Sequence, residues 1–253
     1  MNQSAIRIRA VMHKEFREYL RNRFILYTMG TLPLVFTALP VLSLFRISDA
    51  TDPTTIRTQV GITLLLLLVI PVVLPATIAA YSVIGERDQG TLEPLLTTPV
   101  SREEFLLGKS LAATIPTVGV AYLFFIVLVV AIRLGASSEV AHDVWQPSWF
   151  LAELLFAPLL ALWSVWVGTA ISARSSDVRV AQQLGTLASL PALILPLLMS
   201  LQVFQPTATV AVVIALALAV IDVAAWRIVS RMFDRELLIT GASAVTMRAE
   251  AGT

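Results

Sequence analysis

The sequence predicts an all-α integral membrane protein with six transmembrane helices. It adds an N-terminal interfacial amphipathic helix and a short polar element between the second and third spans. Three observations carry this prediction. Apolar residues make up 57% of the 253 positions and charged ones only 14%, a balance that excludes an ordinary soluble domain. Six apolar runs each approach the roughly 20 residues that cross a 30 Å hydrocarbon core. They are about Phe24–Phe45, Val60–Ile84, Ser110–Ile132, Trp149–Ile171, Gln183–Leu201 and Thr207–Trp226.

The third observation is the distribution of Lys and Arg. An even number of spans puts both termini on one side. That side holds six of these residues in the N-terminal arm, three in the loop 85–109, two in 172–181 and four from Arg227 onward. The other side holds Arg46, Arg57 and Arg133. Cytoplasmic loops carry the excess of Lys and Arg, so both termini are expected in the cytoplasm of a multi-pass cell-membrane protein. The chain divides into a cytoplasmic interfacial helix (1–23), a six-helix transmembrane domain (24–226) and a cytoplasmic tail (227–253).

In residues 1–23, Ile8, Val11, Met12, Phe16, Tyr19 and Leu20 recur at helical spacing, with Arg7, Arg9, Lys14, Arg17 and Arg21 around the rest of the wheel. That pattern is an amphipathic helix lying on anionic headgroups; a solvated charged helix is the plainer alternative. The charged stretch is too long for a signal peptide, and no small-residue cleavage site follows a short apolar core. The first span contains Pro33 and Pro40 and the second Pro71 and Pro75, with Pro116, Pro158, Pro191 and Pro196 in later spans. Each removes an intrahelical hydrogen bond and bends its helix.

Between the second and third spans lies Glu86–Lys109, ERDQGTLEPLLTTPVSREEFLLGK. Its charges keep it out of hydrocarbon. Leu92, Leu95, Leu96, Phe105, Leu106 and Leu107 punctuate it, and Pro94 and Pro99 divide it. Ser101 with Glu104 three residues on forms a capping box for a new helix. The expectation is an amphipathic element parallel to the membrane surface, followed by a helix returning into the bilayer.

The outer connections Ile47–Gln59, Gly135–Ser148 and Gln202–Pro206 are short, with no room for a folded domain. The fourth span is expected to start at a cap, Ser148 after Pro147, with Trp149 at the interface and Glu153 just over one turn inside. Ala157, Leu160, Ser164 and Gly168 follow on the Glu153 face, a stripe that suits helix packing. The fifth span carries Thr186 and Ser189; Pro191 and Pro196 near its outer end could turn it into a brief re-entrant piece. In the sixth, Ala211, Ala215 and Ala219 stack above Asp222.

Glu153 and Asp222 are candidates for pathway or helix-packing roles, as are Ser164 and Thr186, because acidic side chains inside spans are rare and usually partnered. Glu153 has the alternative of reaching the outer headgroups. Asp222 is expected to pair with Arg174, Arg179 or Arg227. The chain has no cysteine, and its only histidines, His13 and His142, stand 129 positions apart, so a metal site lacks ligands. Gly108-Lys109-Ser110 is no nucleotide loop, since Glu103 occupies the position where such a loop needs glycine and a helix precedes it. No span holds a histidine, and Asp222 is the only deep aspartate, so a catalytic pair for membrane proteolysis is lacking. An enzyme is not expected, nor nucleic-acid binding.

Glu86, Gly90-Thr91-Leu92-Glu93, Leu95-Leu96, Thr98-Pro99-Val100, Phe105 and Gly108-Lys109 together resemble the first cytoplasmic loop of ABC type-2 exporter permeases. The family pattern there is roughly E-x-x-x-G-T-L-E-x-L-L-x-x-P-[VI]-S, then an apolar residue and G-K. The resemblance implies a coupling helix within 85–109 and assigns ATPase coupling to Glu86, Gly90, Thr91, Leu92, Glu93, Leu95, Leu96, Pro99, Gly108 and Lys109. It implies a separate ABC ATPase subunit in two copies, holding ATP and Mg so that this chain binds no cofactor. It further implies a second permease subunit, identical or homologous, in a prokaryotic plasma membrane, and an N-terminal helix that borders the ATPase. Substrate is not implied. Two other classes stay open: an ion-gradient-driven secondary transporter, which calls for inverted repeats and midplane ion ligands, and a non-transporting membrane scaffold.

Overall fold

Caps and prolines set the helix limits. The computed structural model describes residues 3–48, 51–88 and 100–232, and every regular element among them is helical. Helix α1 (Gln3–Arg21) ends one residue before α2 (Arg23–Leu44). Between them Asn22 accepts from the backbone N–H of Phe24 at 3.0 Å and of Ile25 at 3.4 Å, satisfying donors that a helix start leaves open. Asp52 does the same for α3 (Pro53–Leu68), where Pro53 occupies the first turn and needs no donor.

Helix α4 (Ile70–Asp88) continues α3 after a break at Val69. Pro71 has no N–H for the carbonyl four residues back. The chain compensates locally: Val69 N–H bonds to Leu66 O at 3.3 Å, and Val72 and Val73 both donate to Val69 O, at 3.1 and 2.9 Å. Helix α5 (Arg102–Gly135) starts at the expected capping box, with Glu104 N–H donating to Ser101 Oγ and Ser101 N–H to Glu104.

Helix α6 (Ser138–Val144) is a short turn of helix inside what the sequence reads as a loop. Its Val140, Asp143 and Val144 are buried, and Asp143 pairs with Arg57 at 3.6 Å, tying it to α3. Helix α7 (Pro147–Ser172) begins two residues earlier than expected, with Gln146 at the cap and Pro147 in the first turn; Ser148 is buried within it. Then come α8 (Val178–Ser189), a 3-10 turn at Leu190–Leu193 and α9 (Ile194–Ser200). Pro191 tightens the helix but does not turn it back, so Val178–Ser200 is one helical run long and apolar enough to cross, and no re-entrant turn breaks it. A short turn leads to α10 (Ala208–Met232), with Gln202 in the left-handed region at φ 60°.

Six helices among the described residues are long and apolar enough to cross a membrane: Arg23–Leu44, Pro53–Ala80, Glu103–Gly135, Pro147–Ser172, Val178–Ser200 and Ala208–Arg231. The second and fifth start seven and five residues earlier than the sequence suggests, because Asp52 and Asp177 cap them. The second span is the most enclosed of the six and the first the least.

Helix α7 runs through the middle, against α4, α5, α8 and α10. Apolar side chains gain little by leaving lipid for protein, so close backbone approach and interhelical hydrogen bonds must hold the bundle. Gly168 shows this: a Cβ there would stand 2.7 Å from that of Ala79. One turn on, Ser172 Oγ donates to Ala80 O at 2.8 Å. The stripe Glu153, Ala157, Leu160, Ser164 and Gly168 is buried throughout, as its pattern predicts.

Candidate functional site

At one end of the bundle α1 crosses the start of α5. Three contacts define the crossing. Arg7 reaches Glu104 at 3.5 Å. Gly108 lies under Val11, so close that an added Cβ would sit 2.7 Å from the valine's Cβ and Cγ1. Lys109 Nζ lies 3.3 Å from Glu15 Oε1, with the two side chains only 4% and 3% exposed. Lys14 also bonds Glu15, at 3.2 Å, and Tyr19 Oη donates to Glu15 Oε2 at 3.3 Å. The Lys109 ammonium stands 5.2 Å over the Phe105 ring. Burial pushes the Glu15 carboxyl up, but Lys109 and Lys14 outweigh it, and the group lies below the ordinary carboxylate value.

Val11, Phe105 and Leu106 form a small apolar cluster at this crossing, with Val100, Ala173 and Trp226 packed against it. The N-terminal helix, the start of α5, the end of α7 and the end of α10 therefore meet at one end. Beside them Ser101, Glu103, Trp226, Arg227, Ser230 and Arg231 line a polar cleft of about 710 Å³.

The apolar face of α1 is divided. Val11 and Tyr19 pack inward with Glu15 between them, whereas Ile6, Phe16 and Leu20 are exposed. The exposed three share a sector of about 80° on the helix wheel, free to enter lipid.

The coupling residues expected from the sequence divide by what is described. Gly90, Thr91, Leu92, Glu93, Leu95, Leu96 and Pro99 lie outside the described residues, as does the side chain of Glu86, whose backbone belongs to the last turns of α4. Gly108 and Lys109 are described, and both are covered by α1. Gly108-Lys109-Ser110 sits inside α5, where Ser110 Oγ donates to Leu106 O at 2.7 Å; no phosphate-binding turn exists there.

The in-span candidates do not gather into one site. Glu153 is 2% exposed and its Oε1 has no hydrogen-bond partner, so it does not reach out of the chain toward headgroups. It lines a cavity of about 670 Å³ between α5 and α7, with Tyr122, Phe125, Trp145 and Phe150. Ser164 is fully buried, with Oγ unpartnered, and lies eleven residues or about 16 Å further along α7. Gly185 stands against Gly168 one turn on from Ser164, which puts Thr186 near Ser164's level. Asp222 is buried on α10 with neither carboxylate oxygen hydrogen-bonded. The expected pairing with Arg174, Arg179 or Arg227 is not made among the described residues. The acid lies on the strip Ala211, Ile214, Ala215, Leu218, Ala225 and Val229 that faces the bundle, and an arginine would need to enter that packed face.

Sequence reasoning missed Glu15 and Tyr122. The signal for Glu15 was present: a carboxylate four residues from Val11 and four from Tyr19 falls on the apolar strip and demands a cation. Lys109, at the edge of an apolar run, was its complement.

Comparison with curated proteins returns no match to the chain. A family model for the ABC-2 type transporter matches residues 6–212. That stretch takes in most of α1, all of the first five spans, the crossing at Gly108 and the start of α10. With its six apolar helices, this protein belongs to the ABC-2 type transporter family, as a membrane-embedded permease.

Proposed function

We propose that the chain is the membrane-spanning subunit of an exporter, driven by ATP hydrolysis on separate ATPase subunits that dock on the segment 85–109. It pairs with a second permease subunit, and its termini lie in the cytoplasm of a cell membrane. The observation that carries the reading is the anchoring of that segment's exit. Ser101 caps α5, and two turns later Gly108 and the Lys109–Glu15 pair clamp α5 to α1. A force applied to 85–109 then reaches a rigid helix that continues across the membrane, and α1 moves with it. The other flank, α4, continues into the broken second span at Val69, a place where the span can bend.

Several observations support the finer parts. The α1 end of the bundle carries most of the Lys and Arg, which favours the cytoplasmic side. The Arg227 and Arg231 cleft next to Ser101 adds a charged surface beside the docking segment. Outward direction rests on the loop's resemblance to exporter permeases. A secondary transporter is less well supported, because Glu153 and Ser164 are spread along α7 and do not converge at a midplane ion site.

The test is purification of the tagged full chain from its native membranes in mild detergent. An ABC ATPase should accompany it, and that ATPase should hydrolyse ATP at a different rate once the permease is removed. A chain recovered alone, beside an ATPase of unchanged rate, contradicts the reading.

A further inference from the structure

The cavity between α5 and α7 has a chemistry that docking of an ATPase does not use. Three aromatic rings touch within its wall. Phe125 and Phe150 meet edge-on, with centroids 5.1 Å apart at 77°, and Trp145 lies 5.4 Å from Phe150. Tyr122 adds a fourth ring, its hydroxyl already committed to the carbonyl of Leu154 at 2.7 Å. The one acidic residue of the lining is Glu153, almost fully buried, whose Oε1 has no partner. No lysine, arginine or histidine lines the cavity to pair with it.

Aromatic faces are electronegative and attract cations, and a carboxylate in a low-dielectric wall does so more strongly. A metal ion fits poorly, since it needs several oxygen ligands and this wall is otherwise apolar. A cation that carries its own apolar body satisfies both halves of the site. The volume of about 670 Å³ lies in the range of small-molecule pockets.

We propose that this cavity binds a monovalent amphipathic organic cation, with its charge against Glu153 and its apolar groups between Trp145 and Phe150. Entry is lateral, from the lipid between α5 and α7, where Ile126 and Leu154 are exposed. The proposal goes beyond the coupling reading and needs no ATPase, so either can fail alone.

The test uses the full-length chain in nanodiscs of phosphatidylethanolamine and phosphatidylglycerol, with protein-free discs subtracted. Tetraphenylphosphonium is titrated, and tetraphenylborate, alike in shape and opposite in charge, is the control. The expected result is saturable phosphonium binding at one site per chain, with borate at least tenfold weaker. Glu153→Gln should weaken phosphonium binding tenfold or more at unchanged thermal stability. Ile126→Trp, which fills the cavity without altering charge, should do the same, and it decides the matter if the glutamine variant does not fold. Equal binding of borate would make the cavity a plain apolar slot and overturn the proposal. Unchanged binding in both variants overturns it as well. Loss of phosphonium binding in phosphatidylcholine discs would give the site to a lipid headgroup, and binding that appears only on dilution to monomers would give it to a second copy of the chain.

Discussion

Tyr122 Oη donates to the backbone carbonyl of Leu154 across the α5–α7 interface, at 2.7 Å. Pro158, four residues after Leu154, has no N–H to give that carbonyl, so the proline that bends α7 also frees the acceptor that α5 uses. In lipid an unsatisfied carbonyl has no water to turn to, and a neighbouring helix must supply the donor.

Tyr122→Phe keeps the ring and removes this donor. Interhelical hydrogen bonds in membranes average about 0.6 kcal/mol, with a maximum near 1.7. The variant is therefore expected to lose about 1 kcal/mol in a reversible unfolding measurement. Restoring the helical N–H with Pro158→Ala in the same chain should recover most of that loss, whereas no recovery would mean that the bond and the proline are unrelated.

Lys109→Met is expected to be costly. It leaves Glu15 buried with only the partly exposed Lys14 as a cation and the Tyr19 hydroxyl as a neutral donor, and breaking a buried pair from one side costs about 3–5 kcal/mol. The double variant Glu15→Gln with Lys109→Met should be much milder, because no stranded charge remains. The readout is protease protection of α1, which loses its anchor when the pair breaks. The pH dependence follows from the lowered Glu15 carboxyl. A carboxylate depressed in the folded state contributes stability that is present above its unfolded value and fades as pH falls through the folded one. Release of α1 is thus expected only in acid, below about pH 4.5, and should disappear in the double variant.

Much of this architecture was legible before the structure. Spans, the capping box at Ser101 and the buried stripe Glu153–Ala157–Leu160–Ser164–Gly168 follow from local patterns, and local patterns are what a helix obeys. The misses have a common cause. Helix α6 forms because Val140 and Val144 find a surface and Arg57 finds Asp143, a contact between residues 86 positions apart. The partner of Lys109 was hidden in the same way, 94 positions upstream. Ser148 misled as a cap because Pro147 already suits the first turn. For Asp222, Arg227 is near in sequence but exposed, outside the packed face that the alanine strip creates.

Orientation is open to a direct check. The chain has no cysteine, so single cysteines report cleanly. Glu139, exposed on α6, and Glu103, exposed at the start of α5, lie at opposite ends. Glu139→Cys should react with a membrane-impermeant maleimide added outside intact cells, and Glu103→Cys only after the membrane is opened. The reverse pattern would invert the topology and remove 85–109 from the cytoplasm.

The central claim is that 85–109 receives work from an ATPase, and Leu95 is the residue to ask. It belongs to the motif segment outside the described residues, between α4 and α5, and the start of α5 is held at the α1 crossing. A leucine seated in a partner's cleft and replaced by a charge should cost about 2 kcal/mol, enough to weaken docking some thirtyfold. The measurement is the amount of ATPase that co-purifies with a tagged Leu95→Asp chain, relative to wild type, from membranes holding equal permease. The account predicts a folded, inserted permease with almost all of its ATPase lost. A Leu95→Asp chain that retains the full complement of ATPase would contradict it, leaving the segment a mere connection between two spans.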